Sequence, residues 1–391
     1  MEASRWIVYS SWGGLLFFGV VGLFVGKGIS VFTSPVNKEE TIYDYYQHPF
    51  LQTFFMFIGE FACLIFFYFQ NIVSKPQKPD LTKKKFNPLM LGIPACLDVI
   101  GSTLLLYGYI LVAASVITMM STVQLIIGAI LSVIFLGRKL YIHHVIGICI
   151  ILLGLIIVII AVQILSNDSS TTTLGLCLVV VSNIISPIQF VIEEKLFNIY
   201  EINALEGVGY EGLVGLTIMA LLLPIYQNIP AKRIIQSKPF DHEQMPQKAV
   251  FPYHKVEDSI VGFIQISHSS GILIFVILYI ITLGAFNFAS QAVTKYVSSL
   301  SRITMNLART ALTWLISCLL RWETFNFYQL IGFIILTGGV IVYNEIYVPS
   351  ICNLNYNTKE NIKKRQELQI QNSEDKLLTN NTENKNENAS Q

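Results

Sequence analysis

The amino-acid sequence predicts an all-α membrane protein with ten transmembrane helices, arranged as two inverted five-helix repeats. Three observations predict this fold class: unusually long uncharged stretches, a low charged fraction and an internal match between the two halves. No Asp, Glu, Lys or Arg occurs between Val99 and Gly137, and such a run accommodates two membrane crossings of about 20 residues each. A second uncharged stretch covers residues 141–165.

The composition separates this chain from soluble proteins. Of its 391 residues, 53% are hydrophobic and only 13% are charged, whereas a soluble protein carries about 25% charged residues. The net charge of +1 lacks the basic excess that a nucleic-acid partner would require. We therefore expect the lipid bilayer and a small-molecule solute as partners, and no nucleic acid.

The two halves of the chain match each other at a fixed distance. A shift of 185 residues aligns four pairs without a gap: Gly147 with Gly332, Gly154 with Gly339, Met120 with Met305 and Ser132 with Ser317. The identities are few, but the hydropathy matches as well, and internal symmetry is typical of transporters built from repeats. Because each half contains an odd number of spans, the second half is inserted upside down relative to the first.

The first repeat, residues 1–165, contains five predicted spans. They cover about residues 6–26, 50–70, 88–111, 115–136 and 141–164. The first span has no small-residue cleavage site at its end, which favours an uncleaved helix over a signal peptide. A polar connection over residues 27–49 ends in Tyr43-Asp44-Tyr45-Tyr46, an aromatic cluster suited to a membrane interface.

The second repeat, residues 174–347, is predicted to contain the other five spans. They cover about residues 174–192, 207–226, 271–293, 299–321 and 326–347. A long polar loop at about 227–270 interrupts the pattern with several prolines. The tail, residues 352–391, is rich in Asn, Lys and Glu, and it is predicted to be disordered because it lacks the apolar residues of a core.

The distribution of basic residues predicts the orientation. Lys and Arg concentrate at the N-terminus, in the second, fourth, sixth and eighth connections and in the tail, whereas the connection after the fifth span has none. Because basic connections remain on the cytosolic side, we expect both termini in the cytosol and the 227–270 loop in the lumen.

Nine short stretches in the predicted spans and their flanks form a distinctive set. In the first half they are QHPFLQ at 47–52, GEF at 59–61, PACLD at 94–98 and FLGRKL at 135–140. In the second half they are EEK at 193–195, GYEG at 209–212, FNFA at 286–289, VTK at 293–295 and WE at 322–323. Over nearly all of residues 6–347, this set resembles the F group of the solute carrier 35 family, within the drug/metabolite transporter superfamily.

The resemblance implies a ten-helix inverted-repeat carrier of an internal membrane, with its cavity between the third, fourth, eighth and ninth spans. Relatives include nucleotide-sugar exchangers, triose-phosphate exchangers and the chloroquine-resistance transporter of malaria parasites. The tail contains Asp375-Lys376-Leu377-Leu378, which is similar to an acidic dileucine sorting signal. With the resemblance, it favours lysosome or vacuole over Golgi or mitochondrion.

A polar stripe in the ninth span is the first candidate site, because an ionisable group in hydrocarbon costs about 2.5–3.5 kcal/mol. Arg309 lies at mid-span, with Asn306 and Thr313 on the same face of the helix. The 185-residue shift places Ser121 and Gln124 at the equivalent positions of the fourth span. The two stripes should therefore face each other across a central cavity.

Two roles are open for Arg309. Its planar guanidinium suits a phosphate or carboxylate on the solute. Alternatively, it forms an interhelical ion pair with Glu60 or Asp98. The latter follows Pro94, which frees backbone groups in the third span, so Asp98 is itself a candidate ligand for the solute. Tyr107 and Thr118, on the third and fourth spans, complete the candidate solute site as hydrogen-bonding side chains.

Four charged residues are candidates for proton coupling or gating: Glu60, Glu194, Glu211 and Lys295. Glu60 and Glu211 lie in the second and seventh spans, where a buried carboxyl group that exchanges a proton would suit proton coupling. Structural pairs with Arg309 or Lys295 are the alternative. Glu194, at a predicted cytosolic helix end, is either a solvated cap or, as the resemblance implies, part of a gate.

These residues favour a secondary-active transporter, either an exchanger or a proton-coupled carrier, of a small polar, anionic solute. The alternative is a non-transporting adaptor that acts through its tail or its lumenal loop. An enzyme is not expected, because no His, Cys or paired carboxylates show usable spacing, and no GxxxxGK[ST] loop of a primary pump occurs. No cofactor or metal is expected either, since His143-His144 has no third ligand nearby in the sequence.

Overall fold

The computed structural model describes residues 5–36, 43–73, 86–111, 114–165, 173–200, 202–229, 255–321, 325–349, 355–358, 361–369 and 371. Side chains are described throughout these ranges except at residues 109–122, 162–165 and 173–174. The sorting-signal stretch at 375–378, the dipeptide at 322–323 and most of the predicted lumenal loop lie outside the described residues.

The first half folds into long helices. The helices are α1 (Arg5–Val31), α2 (Pro49–Val73), α3 (Gly92–Leu111), α4 (Ala114–Leu136) and α5 (Ile142–Leu165). A short antiparallel hairpin of β1 (Thr33–Pro35) and β2 (Tyr43–Tyr45) lies between α1 and α2, with Ser34 opposite Asp44. A single 3-10 turn, Pro88–Leu91, leads into α3.

The second half repeats this pattern with one additional short helix. The helices are α6 (Thr173–Tyr200), α7 (Ala204–Asn228), α8 (Ser259–His268), α9 (Ser270–Tyr296), α10 (Ser299–Leu319) and α11 (Phe327–Tyr343). The short helix α8 occupies the end of the stretch that the sequence predicts to be a polar loop. Ser269 ends α8 and accepts a hydrogen bond from the Ile272 N–H to cap α9.

Seven helices in the described part of the chain are long and apolar enough to cross a membrane. Large hydrophobic side chains such as Phe66, Leu221 and Ile281 are exposed on their outer surfaces. In a bilayer this is the expected surface, because the surrounding lipid chains are as apolar as these side chains. The chain is therefore a multi-pass, all-α membrane protein. Arg302 and Arg309 make α10 more polar than these seven helices.

Local sequence explains several helix termini. The side-chain oxygens of Asn203 and Asn326 accept hydrogen bonds from the N–H groups of Leu205 and Tyr328, which caps the first turns of α7 and α11. Gly137 follows the last residue of α4 in a left-handed conformation, with φ of 60°, as glycine commonly does after a helix.

Contacts between the connections define two ends of the helix bundle. At one end, Glu194 near the end of α6 contacts Arg138 between α4 and α5 and Ser299 at the start of α10. We call this the Arg138 end. At the opposite end, the hairpin of β1 and β2 packs against α8, and Ser34 donates a hydrogen bond to the Gln265 carbonyl. We call this the hairpin end.

Helices α5 and α11 pack backbone against backbone. A Cβ atom on Gly154 would lie 2.7 Å from the carbonyl oxygen of Gly332, and one on Gly339 would lie 2.8 Å from that of Gly147. Only glycine permits such an approach, because any side chain would overlap the neighbouring helix. The 185-residue shift aligns Gly147 with Gly332 and Gly154 with Gly339, so the two glycine contacts are equivalent under it. Other helix pairs in contact are α2 with α7, α1 with α9, α3 with α6 and α4 with α10.

Helix α6 and the tail both contain helical residues outside the predicted spans. The sequence predicts that the sixth span ends at residue 192, whereas α6 continues to Tyr200. The extension is possible because Glu193 and Glu194 find partners inside the bundle and do not need solvent. In the tail, which was predicted to be disordered, residues 361–369 are helical. Arg365 lies over the ring of Tyr356 there, with its guanidinium carbon 3.7 Å from the ring centre.

A buried histidine fastens the hairpin end. Nδ1 of His48 lies 2.6 Å from Glu257 Oε1, and its Nε2 lies 3.0 Å from Gln265 Oε1. The amide nitrogen of Gln265 donates to the carbonyl of Asp44, so its oxygen must face His48. Both ring nitrogens of His48 therefore meet acceptors, and this geometry fits the protonated imidazolium, which donates from both.

Electrostatics at this position agrees with the hydrogen-bond pattern. Burial lowers the pKa of His48, but the nearby Glu257 carboxylate and its hydrogen bond outweigh that effect and raise the pKa above its ordinary value of 6.5. Asp258 acts in the same direction, and the ring of Tyr46 packs edge-on at 5.0 Å. The imidazolium is thus favoured in the folded state.

The glycine contact gives a first test. Gly339→Ala should lower the midpoint of thermal unfolding in detergent, because its Cβ would lie 2.7 Å from the Ile151 backbone nitrogen. Gly338→Ala is the matched control: no atom lies within 4 Å of its Cβ, and alanine should gain up to about 1 kcal/mol of helix stability. Equal effects of the two substitutions would contradict the packing of α5 on α11.

The histidine at the hairpin end gives a second test. Because the folded-state pKa of His48 is raised, its contribution to stability is complete below the unfolded pKa and is lost as pH rises through the folded pKa. The unfolding midpoint of the wild type should therefore fall as pH rises above the ordinary pKa of 6.5. His48→Gln should flatten this dependence, whereas His268→Gln, at an exposed position, should retain it. A His48→Gln profile parallel to the wild type would refute the pairing.

Candidate functional site

Four carboxyl groups from four helices come together inside the bundle. They are Glu60 of α2, Asp98 of α3, Glu193 of α6 and Glu211 of α7, and we call them the acidic cluster. The three glutamates are at most 2% exposed, and Asp98 is partly buried. The charge of Asp98 acts on Glu60, and the charges of Glu60, Asp98 and Glu193 act on Glu211. So close a group of carboxyls in an apolar bundle is electrostatically costly.

One arginine supplies positive charge to this cluster. Nη1 of Arg302 donates a 2.6 Å hydrogen bond to Glu193 Oε2, and the side chain is only 5% exposed. Its guanidinium lies 3.8 Å above the ring of Phe190, a cation–π contact that favours the charged group where water is scarce. Gln189 Nε2 donates to the second oxygen of Glu193 at 2.8 Å. The charge of Arg302 also acts on Glu60, Asp98 and Glu211.

Two amides on one face of α9 contact the cluster. Asn287 donates a short hydrogen bond to Glu60 Oε1, and Gln291, one turn later, donates to Glu211 Oε2. The second oxygens, Glu60 Oε2 and Glu211 Oε1, are buried and accept no hydrogen bond from the described part of the chain. Each of these carboxyls therefore keeps one oxygen for a proton or a solute group.

Glu194 joins three segments at the Arg138 end. Arg138 donates a short hydrogen bond to its Oε1, and the Ser299 backbone N–H and hydroxyl donate to its Oε2 at 2.7 Å and 2.6 Å. The partial positive charge at the N-terminus of α10 also stabilises a carboxylate at this position. We call the three residues the Glu194 clamp. The alternative of a solvated cap is wrong, because Glu194 is 3% exposed.

Arg309 lies farther along α10 and faces α1 and α9. Its Nη1 is 3.5 Å from the carbonyl oxygen of Gly19, and its guanidinium is 4.8 Å from the ring of Phe286. Gly19 provides the space, since a Cβ there would lie 2.4 Å from Arg309 Cδ. The arginine whose charge acts on Glu60 and Asp98 is Arg302.

The neighbours of Arg309 in the predicted polar stripe differ in what they offer. Thr313 donates its hydroxyl back to the Arg309 carbonyl at 2.9 Å. Asn306 Oδ1 is buried and accepts no hydrogen bond from the described residues. Gln124 is partly buried on α4. Ser121, like Thr118, lies on helical backbone, but its side chain is outside the described residues.

The remaining candidates lie in other surroundings. Asp98 accepts a 2.7 Å hydrogen bond from Ser102. Tyr107 packs near Phe50, with ring centres 5.9 Å apart, in the apolar cluster toward the hairpin end. Lys295, in the last turn of α9, lies over the ring of Tyr296. The structure thus brings Glu60, Asp98 and Glu211 together, but it does so with residues that the sequence analysis did not select.

Those missed residues are Arg302, Glu193, Asn287 and Gln291. Arg302 counts as a loop base in the sequence-based orientation, but it lies inside α10. The predicted ninth span begins at residue 299, as α10 does, but a base in its first turn resembles a loop base in the linear sequence. Asn287 and Gln291 are spaced four residues apart, which puts two amides on one helical face and was a usable signal.

Comparisons with known proteins agree with this architecture. Residues 43–160 match the EamA-like transporter family. The chain is 33% identical over 315 residues to solute carrier family 35 member F6 of Homo sapiens and of Pongo abelii, covering 79% of this chain and 81% of each relative. An uncharacterized protein of Schizosaccharomyces pombe is 27% identical over 301 residues. One crystal structure superposes with a TM-score of 0.56 over 88% of this chain and 98% of its own, at 14% identity, which shows a shared fold.

Proposed function

Because this chain belongs to the F group of solute carrier family 35, we propose that it is a proton-coupled, secondary-active transporter of a small polar, anionic solute across an internal membrane. Its relatives are transporters, so the chain is a member of a carrier family and not an enzyme. The observation that carries the proposal of proton coupling is the excess of carboxyl groups over guanidinium groups in the acidic cluster.

The charge balance of the cluster favours proton uptake. If all four carboxyls were ionised, Arg302 would compensate only one of them. An uncompensated charge away from water costs several kcal/mol, and a carboxyl avoids that cost by binding a proton. Glu60 and Glu211 are the best candidates, because each has one buried oxygen that accepts no hydrogen bond from the described residues.

Proton binding and anion binding would then assist each other. Protonation of the cluster removes negative charge from the bundle interior and leaves Arg302 and Arg309 as the dominant charges, which favours an anionic solute. By linkage, a bound anion favours proton uptake by the same factor. The solute and the proton would therefore cross the membrane together. Alternatively, the acidic cluster would stay protonated while the solute exchanges against another anion.

The solute site that we propose combines both halves. Arg309 of α10 faces α1 and α9, Asn306 and Thr313 belong to the same helix, and Gln124 and Ser121 occupy the related positions of α4. Asp98, Tyr107 and Thr118 extend the proposed path along α3 and α4. In support, Asn306 Oδ1, one turn before Arg309 on α10, is buried and accepts no hydrogen bond from the described residues.

We further propose ten spans in two inverted repeats, residues 1–165 and 174–347, joined to the cytosolic tail 352–391. The reciprocal glycine contacts between α5 and α11 support the repeat, as does the pairing of α1 with α9 and of α3 with α6, which an inverted repeat requires to be equivalent. In this arrangement α4, α10 and α11 complete the spans, and the 227–270 segment is the lumenal loop.

The Glu194 clamp is proposed as the gate at the Arg138 end. Arg138 belongs to the first repeat, whereas Glu194 and Ser299 belong to the second. Rocking of one repeat against the other would break these hydrogen bonds and admit solute from that side. Lys295 lies at the same end, and its charge acts on Glu206 of α7, so it is a second candidate for gating.

We propose that the Arg138 end and both termini face the cytosol and that the membrane is that of a lysosome or vacuole. The basic connections at this end support the orientation. An acidic lumen would supply the proton gradient, and it would also favour the protonated His48 at the hairpin end.

Reconstituted vesicles test the coupling. Nucleotide sugars, sugar phosphates, amino acids and peptides should be offered to proteoliposomes with and without a pH gradient, to identify a solute whose uptake the gradient accelerates. Glu60→Gln and Glu211→Gln should then lower gradient-driven uptake at least about tenfold, since a neutral amide cannot carry the proton. Glu206→Gln, on the same helix as Glu211, should retain it. A gradient effect that survives both substitutions would exclude the acidic cluster as the coupling site.

Substitutions of Arg309 test the solute site. Arg309→Leu should be as abundant as the wild type but lose uptake of the anion. Arg309→Lys should be impaired too, because an ammonium group does not reproduce the two-pronged hydrogen bond of a guanidinium. Abundance and uptake should be measured on the same samples. A well-folded Arg309→Leu with unchanged uptake would refute this role, whereas a misfolded one would indicate an internal partner.

A further inference from the structure

Three side chains with metal-binding atoms converge at the Arg138 end. His143 and His144 lie in the first turn of α5, and Glu345 follows the end of α11. Their Nε2 atoms lie 3.1 Å and 3.6 Å from the same oxygen, Glu345 Oε1. One ligand atom from each residue lies within 4.8 Å of the others. His143 is buried, and the other two residues are partly buried.

The fold holds these three residues together firmly. The glycine contacts between α5 and α11 set the two helices at a fixed distance, and Gly147, one turn after His143, lies against Tyr343. Glu345 has φ of 55°, a left-handed conformation that a residue other than glycine adopts at a cost. That conformation turns the chain after α11 and brings the carboxylate back toward α5.

We propose that His143, His144 and Glu345 bind a Zn²⁺ ion. In a tetrahedral site with zinc–ligand bonds of about 2.0–2.1 Å, neighbouring ligand atoms lie about 3.4 Å apart. The two observed separations, 3.1 Å and 3.6 Å, bracket this value. Two imidazole nitrogens with one carboxylate oxygen form a donor set that suits zinc, whereas Mg²⁺ and Ca²⁺ prefer oxygen ligands.

The two imidazoles lie side by side next to one carboxylate oxygen. Their ring centres are only 4.1 Å apart, so two imidazolium charges would repel each other at this distance. Both Nε2 atoms approach the same carboxylate oxygen, so a divalent cation at the point of convergence would bind all three groups at once. Three protein ligands also leave a fourth position for water.

A zinc ion at this site would fasten the two repeats next to the Glu194 clamp. The ring of Tyr343 packs edge-on against His144, with centres 5.2 Å apart, and the charges of Arg138 and Glu345 both act on Tyr343. The metal would thus stabilise the closed arrangement of the Arg138 end. The binding of zinc itself does not depend on the proposed transport.

Metal content tests the site directly. The full chain, purified in detergent with an affinity tag that contains no histidine, should retain about one zinc ion per chain after desalting, as a three-ligand site predicts. The midpoint of thermal unfolding should rise with Zn²⁺ but not with Mg²⁺. His143→Gln and Glu345→Gln should abolish both effects, and Gln at position 143 still offers a hydrogen-bond donor to Glu345. His268→Gln, at an exposed position, should retain both effects.

Cobalt substitution gives a reading that needs no variant. The wild type loaded with Co²⁺ should show the intense visible absorption of a four-coordinate site with nitrogen and oxygen ligands. This absorption should disappear when Zn²⁺ is added. If the wild type retains no zinc and shows no such absorption, the proposal is overturned, and His143, His144 and Glu345 are a hydrogen-bonded group only. Equal zinc retention by the wild type and His143→Gln would overturn it as well.

Discussion

The hydrogen-bonded pair of Arg302 and Glu193 is the interaction on which the interior of this bundle depends. An arginine cannot lose its proton in a protein, so this position holds a permanent positive charge among side chains that are almost fully buried. It pairs directly with Glu193 and acts through its field on the carboxyls of α2, α3 and α7. Without it, each neighbouring carboxyl would be harder to bury, because removal of one partner leaves an uncompensated charge. The aromatic ring of Phe190 beneath the guanidinium replaces part of the lost hydration.

The same pair also joins two helices, α6 and α10, that apolar side chains alone would not hold together. Apolar helices in a membrane gain little from avoiding lipid, so close packing and polar contacts must hold them together. In this bundle, α6 and α10 are joined by charge, α2 and α7 are joined to α9 by amides, and α5 and α11 are joined by glycines. Each device acts at a different depth. The polar contacts lie toward the Arg138 end and in the middle of the bundle, whereas aromatic packing and the His48 contacts hold the hairpin end.

Much of the fold could be predicted from the sequence, because long uncharged stretches have few alternatives to membrane helices. The first predicted span, residues 6–26, lies inside α1. Each later predicted span likewise overlaps one long helix, the last of which is α11. Glu60, Asp98 and Glu211 could be selected since burying a charge is costly wherever it occurs. Their partner could not, because Arg302 lies only one turn inside α10 and is indistinguishable from a loop base in the linear sequence. The third residue beside His143 and His144 is 202 positions from His143, so no local spacing could reveal it. The hairpin and α8 lack a strong periodic signal and depend on the buried contacts of Gln265.

The reciprocal contact between α5 and α11 has a consequence for how such a chain could arise. Gly147 contacts Gly339, and Gly154 contacts Gly332. The 185-residue shift aligns Gly147 with Gly332 and Gly154 with Gly339, so each contact joins a glycine of one aligned pair to a glycine of the other. This is the self-complementary geometry of a two-fold interface, in which one surface patch binds its own copy. A single five-helix ancestor with both glycines would form the entire contact with an oppositely inserted second molecule of itself. Gene duplication and fusion would then require no new interface, and each half could afterwards diverge in its acidic and basic residues while the glycines remained under a shared constraint.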